Sequence, residues 1–120
     1  MKLEVGMYCR YNNFQNKIKI AKIKGIQKAD EVFQYDYINF DNADGELETN
    51  IIKASYNIID ILEEGDYVNG RKIVDIFYDA IDNVMNICVL GSIVYDNNEV
   101  KSVITHEQME RMAYKVGSKW

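Results

Sequence analysis

Seven carboxylates, Asp30, Glu31, Asp36, Asp41, Asp44, Glu46 and Glu48, crowd one short stretch of the chain, and five lysines, Lys17, Lys19, Lys22, Lys24 and Lys28, crowd the stretch before it. Each set has its own chemistry. Acids strung along extended backbone at about 3.3 Å per residue imitate a row of phosphates, which a nucleic-acid-binding protein is built to attract. Lysines along a strand beside Tyr8 and Tyr11 would instead hold phosphates directly while the rings stack on bases.

The charge balance favours the acids. Residues 1–28 carry seven Lys or Arg against Glu4 alone, residues 30–66 carry eleven acids against Lys53, and the whole chain stands at −5. Exposed charges act over about 8–10 Å at physiological salt, so the acidic stretch opposes phosphate held by the lysines. The expected partner is a basic protein that itself binds nucleic acid. Direct nucleic-acid binding through the lysine strand is the alternative, and a sponge for a nucleotide signal is a third reading.

Residues for catalysis are missing by type and by spacing. Gly65 and Gly70 are followed by Arg71-Lys72 without the strand-to-helix context of a phosphate loop, and the sequence has no His-x-x-x-His or Ser-His arrangement. Residues 41–48 lack the spacing and closing glutamate of a calcium loop. The one histidine, His106, is flanked by Glu107 and Gln108 at what reads as a helix start, a place for capping or surface exposure. Cys9 and Cys88 belong to no Cys-x-x-Cys pair and read as small buried apolar groups. The chain is therefore expected to be no enzyme and to carry no catalytic residue, cofactor or metal.

The elements that must position these charges read as short strands. Residues 7–11 open the chain as a strand, 12–16 form a loop, and Lys17-Ile18-Lys19-Ile20 alternates with both lysines on one face. Ile23 and Ile26 fall out of phase with Ile20, which calls for a bulge near Ala21 or a sharp bend of the kind small barrels use at corners. Residues 25–31 turn, 32–40 form a long aromatic strand with Phe33, Tyr35 and Tyr37 on one face, and Asp41-Asn42-Ala43-Asp44-Gly45 makes a hairpin loop. Residues 46–52 return, 53–56 make a turn or one helical turn, and the apolar run 57–62 closes a first unit.

A second unit repeats the plan. Short strands are expected at 66–68, 72–78, 84–90, 92–95 and 100–104, with turns at Asn69-Gly70, 79–83 and 96–98. Thr105 and Gln108 form a capping box that opens a short helix to about Arg111, and residues 112–116 would be a last strand. Leu3-Glu4-Val5-Gly6-Met7-Tyr8 shares Leu-Glu-x-Gly-x-Tyr with Leu62-Glu63-Glu64-Gly65-Asp66-Tyr67, and residues 19–23 echo 72–76. An internal duplication follows, with units at 1–61 and 62–120. With 48% of 120 residues apolar, two small packed cores are within reach. The expected fold is mainly β: two tandem SH3-like small β-barrels and a short helix near the C-terminus.

Gly6-Met7-Tyr8, residues 53–60 running into Glu64-Gly65-Asp66-Tyr67-Val68-Asn69-Gly70, and residues 100–108 resemble small uncharacterised prophage-encoded proteins of low-GC Gram-positive bacteria. The resemblance implies phage origin and assigns no catalytic residue. With no apolar run of about 18 residues and no signal-peptide core, the chain is expected in the bacterial host cytoplasm. Together these readings point to a counter-defence protein whose acidic surface blocks a host immune nuclease such as a CRISPR effector.

Overall fold

Alternation along a strand sends successive side chains to opposite faces, and here both faces of the first strand are covered. In β1 (Tyr8–Asn12), Cys9 and Tyr11 enter one apolar cluster, whereas Tyr8 packs against another and Arg10 is buried on the same side as Tyr8. The computed structural model describes residues 2–113. Within them the chain is mainly β.

β1, β2 (Ile18–Gln27), β3 (Tyr37–Phe40), β4 (Gly45–Leu47) and β5 (Ile51–Ser55) form one antiparallel sheet in the order β4, β3, β2, β1, β5. The second sheet holds β6 (Tyr67–Val68), β7 (Arg71–Asp79), β8 (Val84–Val89), β9 (Ile93–Tyr95) and β10 (Val103–Ile104) in the order β10, β6, β7, β8, β9. Neither sheet is closed. In each, four strands meander, a 3₁₀ turn follows (Glu48–Asn50 or Asn97–Glu99), and a fifth strand returns to pair with the first. The helix α1 (His106–Met112) ends the described chain, opened by Thr105 and Gln108 in a capping box as expected.

The correspondence between the sheets extends to single hydrogen bonds. Gly6 and Gly65 share a left-handed φ of 95° and 94°, a conformation in which a Cβ is strained. Gly6 N–H donates to Ile23 O and Gly65 N–H to Ile73 O, at 2.9 and 3.0 Å. Each sheet has a register shift just after these isoleucines, between Ile23 and Gly25 and between Ile73 and Asp75. Ile73 therefore answers Ile23, so the echo of residues 72–76 is 22–26, not the 19–23 expected from identity alone.

That bulge also relocates the phase change placed near Ala21. The strand is regular through Ala21, and Ile20 and Ile23 differ in phase because Ile20 packs against the second cluster and Ile23 lies in the first. The first cluster comprises Cys9, Tyr11, Ala21, Ile23, Ile38, Phe40 and Ile51, with the Tyr11 and Phe40 rings stacked at 4.2 Å. Val68, Ile73, Ile87 and Val89 build the second together with Ile58, Ile59, Ile61 and Leu62. The run expected to close the first unit is thus a 3₁₀ turn (Ile58–Ile61) packed in the core of the second sheet, and the fifth strand of the first sheet is Ile51–Ser55.

The aromatic strand expected over 32–40 is shorter than its composition suggests. Only Tyr37–Phe40 is strand, because Ile38 and Phe40 are the residues the core accepts, and residues 32–36 bend away. A strand over 112–116 is not formed at Met112, the last helical residue, and residues 114–116 lie outside those described. No described helix is long and apolar enough to cross a membrane.

Candidate functional site

The loop joining β2 to β3 is built by its own carboxylates. Asp30 accepts hydrogen bonds from the Val32 and Phe33 amides, both at 2.8 Å, and Asp36 accepts from the Ala29 amide at 2.7 Å and from Lys28 Nζ at 3.3 Å. Those amides hold both acids below the usual carboxylate range. With its polar groups satisfied inside the loop, the backbone turns Val32, Phe33 and Tyr35 outward.

These three, with Tyr37 and Leu47, line a cleft of about 720 Å³ whose rim includes Lys28 and Glu31. All five apolar side chains are exposed. Tyr37 lies over Gly45 so closely that a Cβ there would run into its ring, and cross-strand pairing sets Tyr37 opposite Leu47. Exposed apolar side chains gathered in one patch are the kind of surface that proteins use for docking, and Tyr is a favoured anchor at interfaces.

The remaining sequence candidates divide by what the fold does with them. Asp41 is exposed and accepts from the Lys22 amide at 3.1 Å. Asp44 accepts from the Tyr11 hydroxyl at 2.7 Å and from Lys19 Nζ at 3.2 Å, and the hydroxyl holds its carboxyl below the ordinary range. Glu46 is buried at 5% exposure and accepts from Asn50, so it belongs to no exposed row. Glu31 and Glu48 keep their carboxylates out of the loop's own hydrogen bonding; Glu48 opens the 3₁₀ turn after β4 and its amide donates to the Asp36 carbonyl at 3.0 Å.

Among the lysines, Lys19 and Lys28 are paired with Asp44 and Asp36, and Lys22 sits 5.3 Å from the centre of the Tyr8 ring. Lys17 and Lys24 are exposed. Tyr11, expected to stack on bases, is fully buried, and burial raises its hydroxyl pKa. Antiparallel pairing of β2 with β3 brings Lys19 and Lys28, which flank the paired stretch, within reach of Asp44 and Asp36. Two of the five lysines are therefore answered by carboxylates from the acidic stretch.

A second cluster escaped the sequence reading. Arg10, 1% exposed, forks onto Asp66, itself fully buried, at 2.7 and 3.2 Å, and reaches Glu107 at 2.7 Å and Glu63 at 3.5 Å. Asp66 further accepts from the amides of Glu63 and His106. Burial pushes Glu63 up, but His106, Arg10 and Lys53 outweigh it and leave the carboxyl below its usual range. His106 Nε2 lies 3.2 Å from Glu63 and 3.1 Å from Glu107, so it joins this cluster as well as opening α1.

Ligand atoms of Glu63, His106 and Glu107 lie within 4.8 Å of one another, as a metal would require. The Arg10 guanidinium and the Lys53 ammonium already supply positive charge to those carboxylates, so the geometry is that of an ion-pair junction between β1, the entry to β6, and α1. Cys9 is fully buried, its thiol pushed up to about 12 by burial, which removes it as a nucleophile. Cys88 is half-buried.

No family model, curated protein or solved structure matches the chain.

Proposed function

We propose that the chain is a non-enzymatic binding protein made of two duplicated SH3-like units, and that the first unit docks on a basic partner through the cleft between β2 and β3. The matched strand order, with a 3₁₀ turn before each returning strand, supports the SH3-like reading. The observation that carries the docking is the open cleft of Val32, Phe33, Tyr35, Tyr37 and Leu47 set in the acidic stretch. Apolar anchors give affinity, and the surrounding carboxylates choose a basic partner and speed its approach. Joined to the prophage resemblance, this gives a counter-defence protein that covers the nucleic-acid channel of a host immune nuclease.

The pairing of Lys19 with Asp44 and Lys28 with Asp36 argues for this reading over direct phosphate binding by the lysine strand. Inhibition assays against purified immune nucleases of Gram-positive bacteria, CRISPR effectors included, test it. One of them should be inhibited. Tyr35→Ala should weaken that complex by about 2 kcal/mol or more, as for a central aromatic anchor, and Glu31→Lys should slow association, both with an unchanged melting temperature. A protein that binds and inhibits none of them, or whose activity ignores both substitutions, overturns the proposal.

A further inference from the structure

The two units repeat one surface feature on equivalent turns. Asp30 accepts from the amides two and three residues ahead, Val32 and Phe33, and Asp79 in the β7–β8 turn accepts from Ile81 and Asp82 in the same way. The two turns are topologically equivalent. Asp30 and Asp79 are separated by 49 positions, as are the matched core residues Ile38 and Ile87, Phe40 and Val89, and the left-handed Ala43 and Ser92.

Each turn holds a β-branched apolar residue at its apex, Val32 at 79% exposure and Ile81 at 94%. Neither side chain packs in a core. A single exposed apolar residue is ordinary, but the same kind of residue at the same turn in both halves, where most of the intervening sequence has diverged, is not set by stability. Acids flank both apices in the sequence: Glu31 and the loop-forming Asp30 beside the first, where Asp36 is paired with Lys28, and Asp79 and Asp82 beside the second, with no Lys or Arg between residues 73 and 83.

We infer that Val32 and Ile81 are two equivalent docking knobs, and that the partner is a protein of two identical subunits, each offering an apolar socket ringed by lysine or arginine. Two like knobs with like charge fit two like sockets, and one chain then spans both subunits. This rests on the docking reading of the cleft, since Val32 lines it. It adds the second contact, the partner's symmetry and the stoichiometry. Linking two contacts in one chain raises avidity by about 10²- to 10⁴-fold over either alone.

The test places a photo-crosslinking amino acid at residue 32, 35 or 81 of the full chain, produced in a low-GC Gram-positive cell, followed by native mass measurement of the purified complex. The expected result is the same partner subunit trapped from positions 32 and 81, with two partner subunits per chain. Val32→Asp or Ile81→Asp, both at exposed turn apices, should each weaken binding by about a hundredfold or more and change the complex to two chains per two partner subunits. Adducts from 32 and 35 but not from 81, different proteins trapped from the two apices, or one partner subunit per chain would overturn the two-knob inference while leaving the cleft as a docking site. No adduct from any of the three positions would overturn both.

Discussion

Arg10 is the residue on which the rest of the charge distribution turns. It sits on a strand whose alternation is plain in the sequence, yet a charged residue alternating with Cys9 and Tyr11 reads as a solvent face, and only the second sheet makes that face an interior. Its acceptors come from residues 56 and 97 positions away, a separation no local pattern can announce. Removing the guanidinium leaves Asp66 buried and unpaired, so Arg10→Met should cost about 3–5 kcal/mol in urea unfolding. Arg10→Lys should recover little, because one ammonium cannot fork onto Asp66 and also span to Glu107. Asp44 was found by its type, but its bond to Tyr11 was not legible. Because its carboxyl is held below the ordinary aspartate value of about 3.9 by Tyr11 first and Lys19 after, its stabilisation is complete above that value and disappears as pH falls through the lowered one. The gap between wild type and Asp44→Asn in a pH series of unfolding midpoints should therefore be constant near neutrality and close in acid.

At the scale of elements, turns and caps were the most readable parts. The Asn69-Gly70 turn, the loop at 79–83 and the Thr105 capping box stand where side-chain chemistry placed them, because each is decided by a few adjacent residues. The aromatic stretch 32–40 misled because strand propensity measures fit to a half-buried pleat, and Asp30 and Asp36 offer residues 28–36 a better set of local bonds. The cleft that results depends on β4 as well. Gly45→Ala should push the Tyr37 ring aside, which costs the fold little since that ring is partly exposed, while reshaping the cleft wall. Partner binding should fall by about tenfold or more with a melting temperature lowered by only a few degrees, and a variant that binds normally would show that the wall formed by Tyr37 is dispensable.

For the whole molecule, the sequence made the two-fold plan visible through Leu-Glu-x-Gly-x-Tyr but hid how the halves meet. The first sheet lends Tyr8 and Ile20 to the second cluster, and the segment 58–62 between the sheets lies in that cluster too. Shared residues couple the two cores, so urea unfolding should give one transition, coincident by tyrosine fluorescence and far-UV circular dichroism. Two separated transitions would mean that the cores are independent. The doubly covered β1 also sets a timetable for synthesis. When the first half leaves the ribosome, its strands can pair, but the side of β1 bearing Tyr8 and Arg10 has only the segment 58–62 to rest on until β6 to β10 and α1 have been made. At about 5–20 residues per second that interval is on the order of seconds. During it the nascent chain shows a half-covered apolar face with, at its centre, an arginine whose partners Glu63, Asp66 and Glu107 have yet to arrive.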